Sequence, residues 1–252
     1  MTDIPDRPAT PQELADATDY FAWASGITVY QQTQWGQETS QDFGDQLLSR
    51  SVFVIGVMRS GTSLVAGVLH TLGCTMYQRP SKRAAMPEWT FEDQLWVTTG
   101  LLRNDDPWTL PAHHARFYAD LIRKNQTSFP LWGIKEPRLM FVMEKLLPVL
   151  EDPRFIFVHR PTIPVQRSWD RIGTGALEAP SLTEQYQAVS RCRFLAEEGV
   201  PAIHVIYEGA LEEPAAFVGE IADFAFGGTG VPVQPQDVIR AVRFIDPSKR
   251  HF

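Results

Sequence analysis

The sequence predicts a three-layer α/β domain, with a central parallel sheet and helices on both faces. Three observations predict it. Short apolar runs rich in β-branched and aromatic residues recur along the body, separated by stretches of helical periodicity. Those runs are continuous rather than alternating, as in strands covered on both faces. The informative polar residues follow directly after the runs, at the strand ends where such sheets bind ligands.

Each element can be justified in turn. Val52-Phe53-Val54-Ile55-Gly56-Val57 reads as the first buried strand. Leu64, Val65, Val68, Leu69 and Leu72 then mark a helix ending near Gly73. Leu131-Trp132-Gly133-Ile134 reads as a second strand, followed by a helix from about Leu139 to Leu150. Glu151-Asp152-Pro153 reads as a turn, and Arg154-Phe155-Ile156-Phe157-Val158 as a third strand. A helix is expected from about Thr162 to Ile172, and Ser181 caps a long one running to Glu198. Ala202–Ile206 reads as a fourth strand and Pro214–Phe226 as a further helix.

The chain divides into an acidic N-terminal arm, residues 1–50, and a single domain, residues 51–252. In the arm, residues 1–9 have the composition of a disordered segment. Thr10-Pro11-Gln12-Glu13 then reads as a helix start, with Leu14, Ala17, Phe21 and Ala24 at helical spacing. The arm leaves room for a lid, a homodimer contact or selection of a basic acceptor.

Charge sharpens the division. The 252 residues carry 23 basic and 30 acidic side chains, a net of −7. The arm holds Arg7 and Arg50 against eight acids, so 2 − 8 = −6, and the body keeps 21 − 22 = −1. A neutral body argues against bulk binding to nucleic acid or to an anionic membrane, so an anion needs a local pocket. The two cysteines, Cys74 and Cys192, form no CxxC pair or disulfide framework. No apolar run is long enough to span a bilayer, and the N-terminus does not read as a signal peptide. The expectation is a soluble cytoplasmic protein.

Gly56-Val57-Met58-Arg59-Ser60-Gly61-Thr62-Ser63 joins the first strand to its helix with the spacing of a phosphate loop, G-x-x-x-x-G. Thr62 stands where nucleotide triphosphatases place a lysine. The cation sits three residues earlier, at Arg59. N–H groups at the helix start and the helix dipole still favour an anion, and Ser60, Thr62 and Ser63 add hydroxyl donors. A tight capped turn is the plainer alternative. A second candidate is Arg160, at the end of the third strand, with Ser168 eight residues on.

These segments resemble the PAPS-dependent sulfotransferases of bacterial type, over roughly residues 50 to 250. Arg59-Ser60-Gly61-Thr62-Ser63 is similar to that family's 5′-phosphosulfate loop, which implies donor binding by Arg59 and residues 60–64, including Leu64. Arg160 and Ser168 resemble its 3′-phosphate site. Gly133-Ile134-Lys135-Glu136-Pro137-Arg138 resembles its K-D-P-R or K-S-P segment. That likeness implies that Lys135 stabilises charge on the transferring group, with Glu136 where Asp is usual. Met86-Pro87-Glu88-Trp89-Thr90-Phe91-Glu92 is partly similar to a segment whose last Glu is the base, implying Glu92 in that role. His113 or His114 is the alternative base. Val242–Arg250 resembles a C-terminal segment that closes on the donor, implying Lys249 and Arg250 as contacts; a frayed tail is the plainer alternative.

The resemblance implies a P-loop-like sulfotransferase fold. It implies an enzyme moving a sulfuryl group from PAPS to a hydroxyl or amine of a small-molecule or carbohydrate acceptor, releasing PAP without a metal. The sequence has no HExxH, no Cys/His cluster and no acidic strand end suited to Mg²⁺. The alternatives are a small-molecule P-loop kinase and a non-catalytic PAPS or PAP binder. Trp89, Trp96, Trp108, Phe117 and Tyr118 are candidates to line an acceptor pocket; core packing under helices is the plainer alternative for each.

Overall fold

The computed structural model describes residues 49–76, 122–141, 143–170, 181–197 and 199–245. Its strands are β1 (Arg50–Ile55), β2 (Thr75–Met76), β3 (Leu131–Lys135), β4 (Asp152–His159) and β5 (Ala202–Ile206). The helices are α1 (Thr62–Leu72), α2 (Met143–Leu146), α3 (Thr162–Asp170), α4 (Leu182–Glu197), α5 (Tyr207–Glu212), α6 (Pro214–Phe226) and α7 (Pro235–Phe244). Residues 122–128 are also helical. The strands form one sheet in the order β2-β3-β1-β4-β5, and each neighbouring pair is parallel.

That order places β1 at the centre. The chain leaves β1 towards β2 and β3 on one side, then crosses to β4 and β5 on the other. Such a reversal opens a crevice at the carboxyl end of the central strand. Val54 registers with Lys135 on β3 and with Ile156 on β4. The three strand ends that carry the sequence motifs are therefore neighbours.

Both faces of the sheet are buried, which is why the strand sequences do not alternate. On one face, Val52 and Val54 pack with Val65, Val68, Leu69 and Leu72 of α1 and with Val218, Ile221 and Ala225 of α6. On the other, Phe53 and Ile55 pack with Trp132, Phe155 and Phe157, beneath Val165 of α3 and Ala188, Val189 and Cys192 of α4. Fully burying one such aliphatic or aromatic side chain contributes about 1.5–3 kcal/mol. The three-layer architecture expected from the sequence is present.

Local signals explain the helix ends. Ser181 and Glu184 form a reciprocal capping box at the start of α4: Glu184 N donates to Ser181 Oγ at 3.2 Å, and Ser181 N donates to Glu184 Oε2 at 2.7 Å. Gly73 ends α1 in the left-handed region, at φ 107°. Gly67 lets α7 approach α1, because a Cβ there would overlap the Phe244 ring.

Two expectations need correction. The helix expected from Leu139 to Leu150 is broken into the 3₁₀ turn Pro137–Phe141, the single turn α2 and the 3₁₀ turn Leu147–Val149. Pro148 has no N–H to continue α2, and its ring would crowd the carbonyl four residues back. Asp152 and Pro153, expected in a turn, belong to β4. Pro153 is accommodated because β5 pairs only from Phe155 onward, so no ladder bond is lost there. Strand β2 and helices α5 and α7 had no predicted counterpart. No helix among the described residues is long and apolar enough to cross a membrane.

Candidate functional site

The loop after β1 is built around two close approaches. A Cβ on Gly56 would lie 2.6 Å from Ser60 Oγ and 2.7 Å from the Val158 carbonyl, so only glycine lets the loop fold back over β4. Gly61 is left-handed at φ 103°, and a Cβ there would overlap the Tyr207 ring. Arg59 is also left-handed, at φ 73°, the only described non-glycine residue with positive φ. That backbone is unfavourable by about 1–2 kcal/mol and persists where surrounding contacts over-determine it.

Those contacts come from four other segments. Arg59 Nε donates to Ser168 Oγ of α3 at 3.0 Å. Arg160 Nη1, at the end of β4, donates to the Arg59 carbonyl at 3.3 Å. Gln185 of α4, fully buried, accepts the Met58 N–H at 2.8 Å. Tyr207, opening α5, packs beside Gly61 while its ring lies 4.4 Å below the Arg160 guanidinium. Ser60 N donates within the loop to the Val57 carbonyl at 3.1 Å.

The remaining groups suit an anion. α1 starts at Gly61 without a side-chain cap, so no side chain of the cap residue offsets the positive end of its dipole. Ser60 Oγ is buried inside the loop and has no hydrogen-bond partner. A buried hydroxyl normally has one, so this orphan beside the glycine cradle fits a phosphate-type ligand. Thr62 is buried, while Arg59, Ser63 and Leu64 are partly exposed.

Lys135 is the last residue of β3 and is 2% exposed, followed by the equally hidden Glu136. The expectation of Lys135 at a strand end beside the loop agrees with its register next to Val54. Ser168 and Arg160, expected to grip one anion together, both meet Arg59, through its side chain and its carbonyl respectively.

The end of β5 adds residues that sequence spacing did not reveal. Arg160 Nε donates to Glu208 Oε1 at 3.2 Å, across 48 positions in sequence. Beneath this pair, His159 Nε2 lies 2.8 Å from His204 Nδ1, and the two rings stack. His204 also stacks on Phe157, extending the aromatic column of the second core to the strand ends. Burial, helped by the neighbouring His204, lowers the His159 pKa to about 3, so the ring is neutral.

Glu92, His113, His114, Lys249 and Arg250 lie outside the described residues, as do the proposed acceptor aromatics and residues 1–48 of the arm. Among the described residues, no three His, Cys, Asp or Glu side chains are grouped to hold a metal ion. Cys74 and Cys192 are buried free thiols, each pushed up by desolvation, Cys192 to about 12.

No family model matches the sequence, and no curated protein matches it. Three solved structures that the chain is similar to are sulfotransferases. One is STF1 from Mycobacterium tuberculosis H37Rv, 16% identical, with 91% of this chain and 78% of that one covered at a TM-score of 0.47. Another is the sulfotransferase domain of the Synechococcus PCC 7002 olefin synthase, 20% identical, with 80% of each chain covered at 0.47. A third is STF9 from Mycobacterium avium, 16% identical, with 95% and 78% covered at 0.48.

Proposed function

We propose that the protein is a PAPS-dependent sulfotransferase acting on a hydroxyl or amine of a small-molecule or carbohydrate acceptor. The observation that carries this reading is the connected pair of arginines at adjacent strand ends. Arg160 hydrogen-bonds the carbonyl of Arg59, and Arg59 hydrogen-bonds Ser168. Two cation-bearing motifs, about 100 residues apart in sequence, are thereby in contact. A donor with a phosphosulfate at one end and a 3′-phosphate at the other presents anions to both.

Arg59, the α1 N–H groups and the hydroxyls of Ser60, Thr62 and Ser63 would hold the 5′-phosphosulfate. Arg160 and Ser168 would hold the 3′-phosphate, with Ser168 also steadying Arg59. Lys135 would offset charge developing on the sulfuryl and bridging oxygens, an effect that is strong at a site shielded from water. Glu92 would take the acceptor proton while the new oxygen–sulfur or nitrogen–sulfur bond forms and the bond to the phosphate oxygen breaks. PAP departs with that oxygen. Lys249 and Arg250 would close over the donor.

Incubating the protein with PAPS and a panel of hydroxyl and amine acceptors, read by mass spectrometry, tests this. A product heavier by one sulfuryl group, formed together with PAP, is expected. Glu92→Ala should abolish transfer while PAP still binds; undiminished turnover would remove Glu92 as the base. PAP binding without transfer to any acceptor would favour a non-catalytic binder.

A further inference from the structure

Arg160 is not an open cation. Its side chain is 4% exposed, its Nε is bonded to Glu208 and its Nη1 to the Arg59 carbonyl, and its flat face lies on Tyr207. An anion reaching this guanidinium therefore meets one that already has a counter-ion.

The hold of Glu208 is weak and lopsided. The Nε···Oε1 distance of 3.2 Å exceeds the 2.7–2.9 Å typical of charge-assisted bonds. The other carboxylate oxygen, Oε2, is buried with no hydrogen-bond partner. The Glu208 side chain is 36% exposed, so it can turn outward and be hydrated, whereas the guanidinium cannot. The carboxylate is the mobile partner of the pair.

We propose that Glu208 is an exchangeable counter-ion that sets the anion specificity of the Arg160 subsite. An incoming group binds by replacing the carboxylate, so it must interact with Arg160 more strongly than Glu208 does. A phosphomonoester dianion meets that requirement, and a monoanion or a neutral hydroxyl does not. Glu208 thereby excludes ligands that lack a doubly charged phosphate, and it does so from outside the ligand contacts themselves. Between occupancies it also keeps the buried Arg160 charge compensated. The inference rests on the donor reading above for the identity of the dianion, but the exchange itself does not need that identity.

The test is isothermal titration calorimetry on the full chain and on Glu208→Gln, with PAP, 5′-AMP and inorganic pyrophosphate as probes. Thermal melting without ligand is measured alongside. Glu208→Gln keeps the shape and removes the charge. The expected result is PAP binding about tenfold tighter than in the unaltered protein, with 5′-AMP binding, which leaves a hydroxyl at the 3′ position, little altered, and a lower melting temperature without ligand. A merely structural Glu208 predicts lower melting and weaker or unchanged PAP binding, and either binding result would overturn the exchange. If the unaltered protein binds pyrophosphate but not PAP, the donor reading fails. The same tightening on pyrophosphate then supports the exchange, and its absence overturns it. If neither probe binds, both readings fail. Should Glu208→Gln not yield folded protein, Glu208→Ser is read by the same criteria.

Discussion

Two buried arginines stand at opposite ends of adjacent strands in the same sheet. Arg50 opens β1 at the amino end, and Arg160 follows β4 at the carboxyl end; each residue is 6% exposed. Arg50 is fully committed to the protein. Its Nε donates to Asp152 at 2.6 Å, and its Nη1 donates to the carbonyls of Ala225, at 3.2 Å, and Gly227. It thus ties β1 and β4 to the C-terminus of α6, where a cation is favoured by the helix dipole. Arg160 has a longer bond to a more exposed carboxylate, one oxygen of which lacks a partner. The same side chain at the same burial is a structural tie at one end and, on the proposed function, a ligand group at the other. What separates them is how tightly the counter-ion is held.

Substitutions should separate the two roles. Arg50→Met leaves Asp152 and two helix-end carbonyls without their donor, so it should lower stability by about 3–5 kcal/mol. In denaturant titration this appears as an earlier midpoint with an unchanged slope, and the folded protein should still bind PAP normally. Arg160→Ala should do the reverse. PAP affinity should fall about 100-fold, or about 2–3 kcal/mol, with a smaller change in the midpoint than Arg50→Met gives, because Glu208 is then free to hydrate. An Arg160→Ala protein that loses stability as Arg50→Met does, but keeps PAP affinity, would erase the distinction.

The glycines repeat the comparison. Gly61 and Gly73, at the two ends of α1, are both left-handed, but only Gly61 is crowded by a neighbouring ring. Gly73→Ala should lower stability by about 1 kcal/mol, the backbone term alone. Gly61→Ala should lower it by about 2 kcal/mol and also weaken PAP binding, because Tyr207 and the loop must shift. Equal effects on both properties would show that the loop has slack.

Acid should weaken the carboxyl end in particular. His159 has a folded pKa of about 3, against 6.5 for an ordinary histidine. Below about pH 6.5 the unfolded chain takes up a proton that the folded chain refuses. Stability should therefore fall as pH drops from about 6.5 towards 3, by up to about 1.4 kcal/mol per pH unit. Melting curves at pH 7, 6 and 5 should show this slope, and His159→Gln should flatten it.

Much of the frame was legible in the sequence because it rests on local signals. The β-branched runs gave β1, β4 and β5 to within a few residues, and Ser181 with Glu184 marked the start of α4. Pro148 was visible too, yet the apolar periodicity around it suggested a helix that its missing N–H prevents. At the site, the β1 loop and the Arg160–Ser168 spacing stood out because each is contiguous or nearly so. Gln185 and Glu208 did not. Gln185 reaches Met58 across 127 positions, and Glu208 reaches Arg160 across 48. Only the strand order, which sets β5 beside β4, brings Glu208 there. The partnership of Ser168 with Arg59 likewise depends on the left-handed turn at Arg59.

The most direct test of the central claim compares PAP with Mg·ATP by thermal shift, on the unaltered protein and on Arg160→Ala. PAP should raise the melting temperature of the unaltered protein and fail to do so for Arg160→Ala, with Mg·ATP ineffective on both. Stabilisation by Mg·ATP without any response to PAP would contradict the account and point to a kinase.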